Sequence, residues 1–116
     1  MLVKATREGL VGNRTASGYV IDTHVPFVAL PCGKALYRAV RITNPSNLRT
    51  CTALVLDVGP WNTADESYVL HGGRPQAESG TDTYGRATNG AGIDLSEKVW
   101  NALALADNGL VDWKFI

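Results

Sequence analysis

The sequence predicts a mainly β domain of about six short strands, closed by one helix near its C-terminal end. Three observations carry this. Short apolar runs are separated by turn residues, with 12 Gly and 5 Pro spread between them, which is how short strands and tight turns are written. Two segments, residues 35–44 and 110–116, alternate apolar and polar side chains, the period of a half-buried strand. One segment alone, residues 95–109, repeats its apolar positions with the period of a helix.

Taken in order, "GYVIDTHV" (18–25) is rich in β-formers and reads as a strand. In "ALYRAVRITN" (35–44), Leu36, Arg38, Val40 and Ile42 share one parity, and Tyr37, Ala39, Arg41 and Thr43 the other. "NPSNLR" (44–49) is a cluster of turn formers. "TCTALVLDV" (50–58) is almost continuously apolar, as a strand buried on both faces would be. The two strands around that turn form an antiparallel hairpin. Residues 62–92 are a polar insert, with "SYVL" (67–70) its one strand candidate; a loop of this length in a compact domain is usually functional or disordered. In "LSEKVWNALALADNG" (95–109), Val99, Leu103 and Ala106 form one stripe, with Trp100 and Ala104 beside it. Asp94 and Glu97 have the offset of a capping box, and Asn108-Gly109 ends the helix. "LVDWKFI" (110–116) sets Val111, Trp113 and Phe115 against Asp112 and Lys114, so Trp113, like Trp100, is a core side chain.

The chain has 116 residues, the size of one domain, and can bury a core without staples. Its formal net charge is zero, with Lys and Arg scattered. That speaks against nucleic acid or an anionic membrane as partner, since both need a concentrated positive field. No stretch approaches the ~20 apolar residues of a membrane span, and "MLVKATREGLVGNRTASG" lacks an apolar signal core. The chain is then cytoplasmic as made, phage-associated, or exported after loss of a leader. Cys32 and Cys51 lack the paired spacing of a zinc site; two free buried thiols are the plain reading, a disulfide the alternative. No metal or cofactor constellation stands out.

Five stretches follow one another along the chain: "GNRTASGYVID" (12–22), "ALPCG" (29–33), "VRITNPSNLRT" (40–50), "LDVGPW" (56–61) and "GAGIDLSEKVWNAL" (90–103). As a group they resemble the rare-lipoprotein-A-like double-psi β-barrel domain, over about residues 9–116. Expansins, barwin-like proteins and membrane-bound lytic transglycosylase A share that barrel. The resemblance implies a six-stranded double-psi β-barrel with one or two short helices, spanning residues 1–116 as one domain. It also implies a surface groove that takes a polysaccharide, peptidoglycan in the bacterial members. Some of these cleave the glycan as lytic transglycosylases, and the expansin-like ones bind it without hydrolysis.

Carried over residue by residue, Asp57 matches the aspartate of D-x-G-P, and Asp94 that of the I-D-L-S element, the groove's acid in the related proteins. Thr15 and Ser17 match the TASG element bordering the groove. Where the family has a Glu after TASG this chain has Tyr19, where it has a His this chain has Phe27, and the usual D-R-G-P arginine is Val58.

Chemistry suits the two aspartates. Cleaving a glycosidic bond needs an acid at the leaving oxygen. A lytic transglycosylase manages with one carboxyl, because the sugar's own hydroxyl is the nucleophile. That acid must keep its proton near neutral pH, through burial or a neighbouring negative charge. The plain alternatives are a turn-bonding role for Asp57 and a helix cap for Asp94. Trp61 and Tyr84 offer flat faces for a pyranose, and Tyr19 lies beside the TASG element. His24 and His71 are isolated, and Asp65, Glu66, Glu78 and Asp82 read as a solvated face of the insert. The expected function is therefore peptidoglycan-acting, as a lytic transglycosylase-like enzyme using Asp57 and Asp94. The alternatives are a non-catalytic cell-wall glycan-binding module and a structural or assembly domain of a phage particle.

Overall fold

The computed structural model describes residues 1–116. Six strands, β1 (Leu2–Glu8), β2 (Phe27–Leu30), β3 (Ala39–Thr43), β4 (Thr50–Val58), β5 (Ile93–Ser96) and β6 (Gly109–Phe115), close into a barrel in the order β1-β5-β2-β4-β3-β6. Two pairs are parallel, β1 with β5 and β2 with β4, and the rest are antiparallel. This is the mainly β, six-stranded double-psi barrel expected, with two short helices, α1 (Glu66–Val69) and α2 (Glu97–Ala102).

Alternation explains the core. Side chains on a strand point to opposite faces, and closure turns one face inward. Val3, Ala5, Val28, Leu30, Val40, Ile42, Ala53, Val55, Ile93, Leu95, Val111 and Trp113 fill the interior, joined by Val99 and Trp100 from α2 and by Leu103 just after it. Tyr68 of α1 closes one side: its hydroxyl donates to Gly92 O at 2.9 Å and accepts from Trp113 Nε1 at 2.7 Å. Trp100 and Trp113 are buried, as their stripes require.

A second, smaller apolar cluster lies on the outside of the barrel. Ile21, Phe27 and Leu56 form it, with Tyr19 and Val25 packed against them. It exists because the long connection between β1 and β2 folds back over β2 and β4. That connection is where the sequence suggested a strand at 18–25. It contains only an isolated bridge between Arg14 and Val20; its β-formers Tyr19, Ile21 and Val25 are used for outer packing instead.

Other expectations change for physical reasons. The 35–44/50–58 hairpin is present, with Ile42 opposite Cys51 and Ala39 opposite Leu54. Yet β4 is not buried on both faces: Leu54 is 45% exposed, because no helix layer covers the barrel there. "SYVL" is the helix α1, not a strand. The C-terminal helix is shorter than its pattern, running only from Glu97 to Ala102. Ala104 and Ala106 of the expected stripe are exposed. Its N-cap is Ser96, whose hydroxyl accepts from Val99 N, and not Asp94; Asp94 stays in β5, where ladder bonds from both neighbours outcompete the capping geometry. Glu97 turns to Arg7 in a bidentate pair at 2.6 and 2.7 Å. Cys32 is buried, Cys51 half-buried, and both are free thiols.

Candidate functional site

The site is a row across the outer face of the barrel. Thr6 on β1 pairs with Asp94 on β5, Asp94 with Ala29 on β2, and Ala29 with Asp57 on β4. Register thus places four residues from four strands side by side. Asp57 joins the row only because β4 bulges. Val28 pairs with Val55 but Ala29 pairs with Asp57, so Leu56 is skipped. Without that extra residue Asp57 would point into the apolar interior. With it, Leu56 packs on the outer cluster and Asp57 stands on the outer face.

Asp57 and Asp94 flank Ala29, a small residue that is itself buried. Two strand spacings separate their backbones, about 10 Å between Cα atoms. Asp57 Oδ1 accepts from Ala16 N at 2.8 Å and from Val58 N at 2.9 Å. It therefore pins the loop carrying Thr15 and Ser17, whose hydroxyls bond one another at 2.8 Å while Ser17 N donates to Leu56 O at 3.2 Å. Thr15 and Ser17 are thus the wall beside Asp57. Tyr19 follows them but turns into the outer cluster, edge-on to Phe27 at 5.5 Å.

A third carboxyl completes the site, and sequence reasoning missed it. Glu8, the last residue of β1, lies two residues beyond Thr6, opposite Ser96. It shares a parity with Lys4 and Thr6 and so reads as a solvent-facing residue. The fold-back of the β1–β2 connection buries it instead, to 8% exposure, and nothing local in the sequence announces that. Burial pushes the Glu8 carboxyl up to about 9, helped by a hydrogen bond with Asp57 and the charges of Asp57 and Asp94. Asp94 is also raised, to about 6: burial drives it up, the Thr6 hydroxyl that donates to Asp94 Oδ1 opposes, and the Asp57 charge adds. The site therefore holds acids that keep a proton at and near neutral pH, as proton donation requires.

The aromatic candidates sit farther along. Trp61, with one face open, donates from Nε1 to Asn89 Oδ1 at 3.0 Å, and Asn89 O accepts from Lys4 Nζ at 3.0 Å. Lys4 is on the outer parity of β1, so Trp61 is tied to the Lys4 end of the same face. Tyr84 is 80% exposed at the tip of a small hairpin. That hairpin is fastened by Thr83 N to Asn62 Oδ1 at 3.0 Å, and internally by Asp82, which takes Tyr84 N, Arg86 N and the Arg86 guanidinium. The insert's acids thus serve structure. Asp82 is buried, Asp65 accepts from Gln76 N, Glu66 pairs with Lys34 and Glu78 with Arg74. His24 and His71 are exposed and lie outside the row.

A family described as a domain of unknown function, DUF8814, matches residues 1–114. The chain belongs to that family. No curated protein matches it. Among solved structures, Streptomyces papain inhibitor is similar at 20% identity and a TM-score of 0.57, covering 100% of this chain and 93% of that one. Cerato-platanin 3 from M. perniciosa is similar at 10% identity and a TM-score of 0.55, covering 100% and 94%. A mutant Clavibacter michiganensis expansin, solved in complex with cellohexaose, is similar at 17% identity and a TM-score of 0.54. The chain spans 50% of that expansin's length. At these identities the likeness is one of fold.

Proposed function

We propose that this DUF8814 chain binds a polysaccharide strand along the outer face of the barrel, over Asp57 and Asp94, and that Asp94 acts on it as a proton donor. The observation that carries this reading is the four-strand row Thr6–Asp94–Ala29–Asp57, which sets two carboxyls on either side of one small residue. The similar expansin was solved with cellohexaose, which favours a β-linked glycan as ligand class, and the five sequence motifs favour peptidoglycan within it. Trp61 and Tyr84 are the aromatic faces on which sugar rings would stack, and Thr15 and Ser17 supply hydroxyls at the wall.

In the cleavage step, Asp94 gives its proton to the glycosidic oxygen as the bond from that oxygen to C1 breaks. Asp57, as a carboxylate, faces the positive charge developing at C1. The sugar's own hydroxyl then bonds to C1, and its proton returns to Asp94. No water is consumed, and a 1,6-anhydro end results. A carboxyl raised to about 6 is suited to both halves of that cycle.

A second reading, binding without cleavage, is favoured by Tyr19 and Phe27. Both are committed to the outer apolar cluster, so neither replaces the Glu and His that the resemblance associates with activity.

The test is incubation with purified sacculi and, separately, with cellulose, followed by sedimentation and mass analysis of the soluble fraction. Wild type should sediment with sacculi and release anhydro-muropeptides, and Asp94→Asn should bind but release nothing. Binding without release by wild type selects the second reading. Binding only to cellulose changes the ligand within the proposal. Sedimentation with neither overturns it and leaves the structural-domain alternative.

A further inference from the structure

Lys4 has no place in the sequence motifs and no role in the step above, yet it stands on the outer face of β1, two residues before Thr6. Other cations nearby in the chain are spent. Arg7, further along β1, is taken by Glu97 in a bidentate pair. Arg14, in the wall loop, turns onto Gly18 O at 3.0 Å. Lys4 forms no ion pair. Its Nζ donates once, to Asn89 O at 3.0 Å. An ammonium has three N–H donors, so two of them and an uncompensated charge remain at this end of the groove.

The same Asn89 holds Trp61. Its Oδ1 accepts from Trp61 Nε1 at 3.0 Å and from Ala91 N at 3.0 Å, while Gly92 N donates to Lys4 O at 2.9 Å. Ammonium, amide and indole are thus one bonded chain, in place before any ligand arrives. Trp61 is held at φ +68°, in the left-handed region that a side chain disfavours, and is 37% exposed. A strained residue that leaves its ring in solvent is placed for contact rather than for the core. An indole N–H lies in the ring plane. The bond to Asn89 therefore spends the edge of the ring, not its face, and the Lys4 ammonium lies off that edge. We propose that Trp61 and Lys4 form one subsite of the groove, for a sugar that carries a carboxylate: the ring stacks on the indole and its carboxylate, beyond the N–H edge, meets the ammonium. The inference rests on the proposed groove and names the class of glycan that fits it. Two strand rises, about 7 Å, separate Lys4 from Thr6 in the row of aspartates. Asp57 and Asp94 repel a carboxylate that the ammonium attracts. A glycan with carboxylates on alternate rings is then held in one register, its acidic ring at Lys4 and a neutral ring over the aspartates. Two sources have this chemistry, a lactyl ether on the ring, as in peptidoglycan, and a uronic acid.

The test compares affinity for three β-linked glycans at low ionic strength. Chitin oligomers are neutral, peptide-free peptidoglycan strands add a lactyl carboxylate, and hyaluronate oligomers carry uronates. Titration calorimetry gives the affinities. The Trp61 indole N–H signal, assigned with Trp61→Phe, reports where the sugar sits. Wild type should bind at least one acidic glycan about five- to tenfold tighter than chitin. The indole signal should shift on binding, and the preference should shrink as salt is added. The two acidic arms tell the lactyl source from the uronate. Lys4→Gln should bind all three alike, and Lys4→Arg should keep the preference. Equal affinity of wild type for the three overturns the inference, whether or not either variant folds, and leaves the groove reading standing. A preference that survives Lys4→Gln, or that leaves the Trp61 signal unmoved, overturns it too. Binding to none of the three defeats the groove reading and this inference with it, so the two failures are distinct.

Discussion

The proton on Glu8 has a consequence for stability that can be worked from the structure. In the unfolded chain this carboxyl has an ordinary value of 4.5, and in the folded protein it is pushed up to about 9. Between those values the folded protein keeps a proton that the unfolded chain has lost. Unfolding therefore releases a proton, and stability falls as pH rises, by at most ~1.4 kcal/mol per pH unit. The full contribution is present below the unfolded value and is lost as pH climbs through the folded one. Asp94, raised to about 6, adds to the slope only at the acid end. Asp22, Glu66, Asp82 and Glu97, all lowered, act in the opposite sense at lower pH still.

The clean window is thus about pH 6.5 to 8.5. Two units give a ceiling near 2.7 kcal/mol, and residual solvent contact of the carboxyl brings the expectation to about 2 kcal/mol. The perturbation is Glu8→Gln, which mimics the neutral acid in shape and cannot ionise. The assay is urea unfolding of both proteins at the two ends of the window, taking the difference between them so that every other titrating group cancels. Wild type should lose about 2 kcal/mol relative to the variant, and Glu8→Gln should be the more stable protein at the alkaline end. Parallel behaviour of the two proteins would refute the reasoning, because Glu8 would then carry the same charge folded and unfolded.

Thr6→Val removes the hydroxyl that holds the Asp94 carboxyl down, so Asp94 should titrate above its wild-type value of about 6; carboxyl-carbon NMR reads the shift, and in a lytic enzyme the alkaline limb of the pH–rate profile should follow it upward. Tyr68→Phe strips a buried donor from Gly92 O and a buried acceptor from Trp113 Nε1, and should cost about 2–4 kcal/mol in denaturant unfolding with little effect on the remote carboxyls. Ser96→Ala removes the oxygen that accepts from both Phe27 N and Val99 N, and should cost about 1–3 kcal/mol, with amide exchange at those two residues rising most. Gly92→Ala would set a Cβ 2.8 Å from Pro75 Cγ and 2.9 Å from the Tyr68 hydroxyl, so its melting temperature should fall by several degrees, on the order of a 1–3 kcal/mol overpacking cost.

Much of the barrel was legible because strand alternation is a local signal. The parity of Val40 and Ile42, and of Val111 and Trp113, already names the residues that close the core, and the turn cluster at 44–49 names the hairpin. Less visible were β1 and β5. β5 has only 4 residues, and each strand is bordered by Gly rather than announced by a long apolar run. Their pairing is parallel and distant in sequence, Ala5 with Ile93, so no turn between them marks it. Helix α2 misled for the opposite reason. Its apolar period continues past Ala102, but the segment leaves the helix at Leu103 to feed β6, and tertiary closure overrides the local pattern.

The candidate site divides the same way. The sequence by itself singled out Asp57, Asp94 and the TASG element as candidates, since each motif is written in adjacent residues. Only the tertiary structure decided that Asp57 faces outward, because a single bulged residue in β4 reverses its parity. Only the structure found Glu8. A carboxyl's protonation depends on what covers it and which charges face it, and here both are brought from segments far apart in the chain: the fold-back after β1, Asp57 in β4 and Asp94 in β5. Sequence fixes which residues are acids, and the three-dimensional surroundings fix which of them keeps its proton.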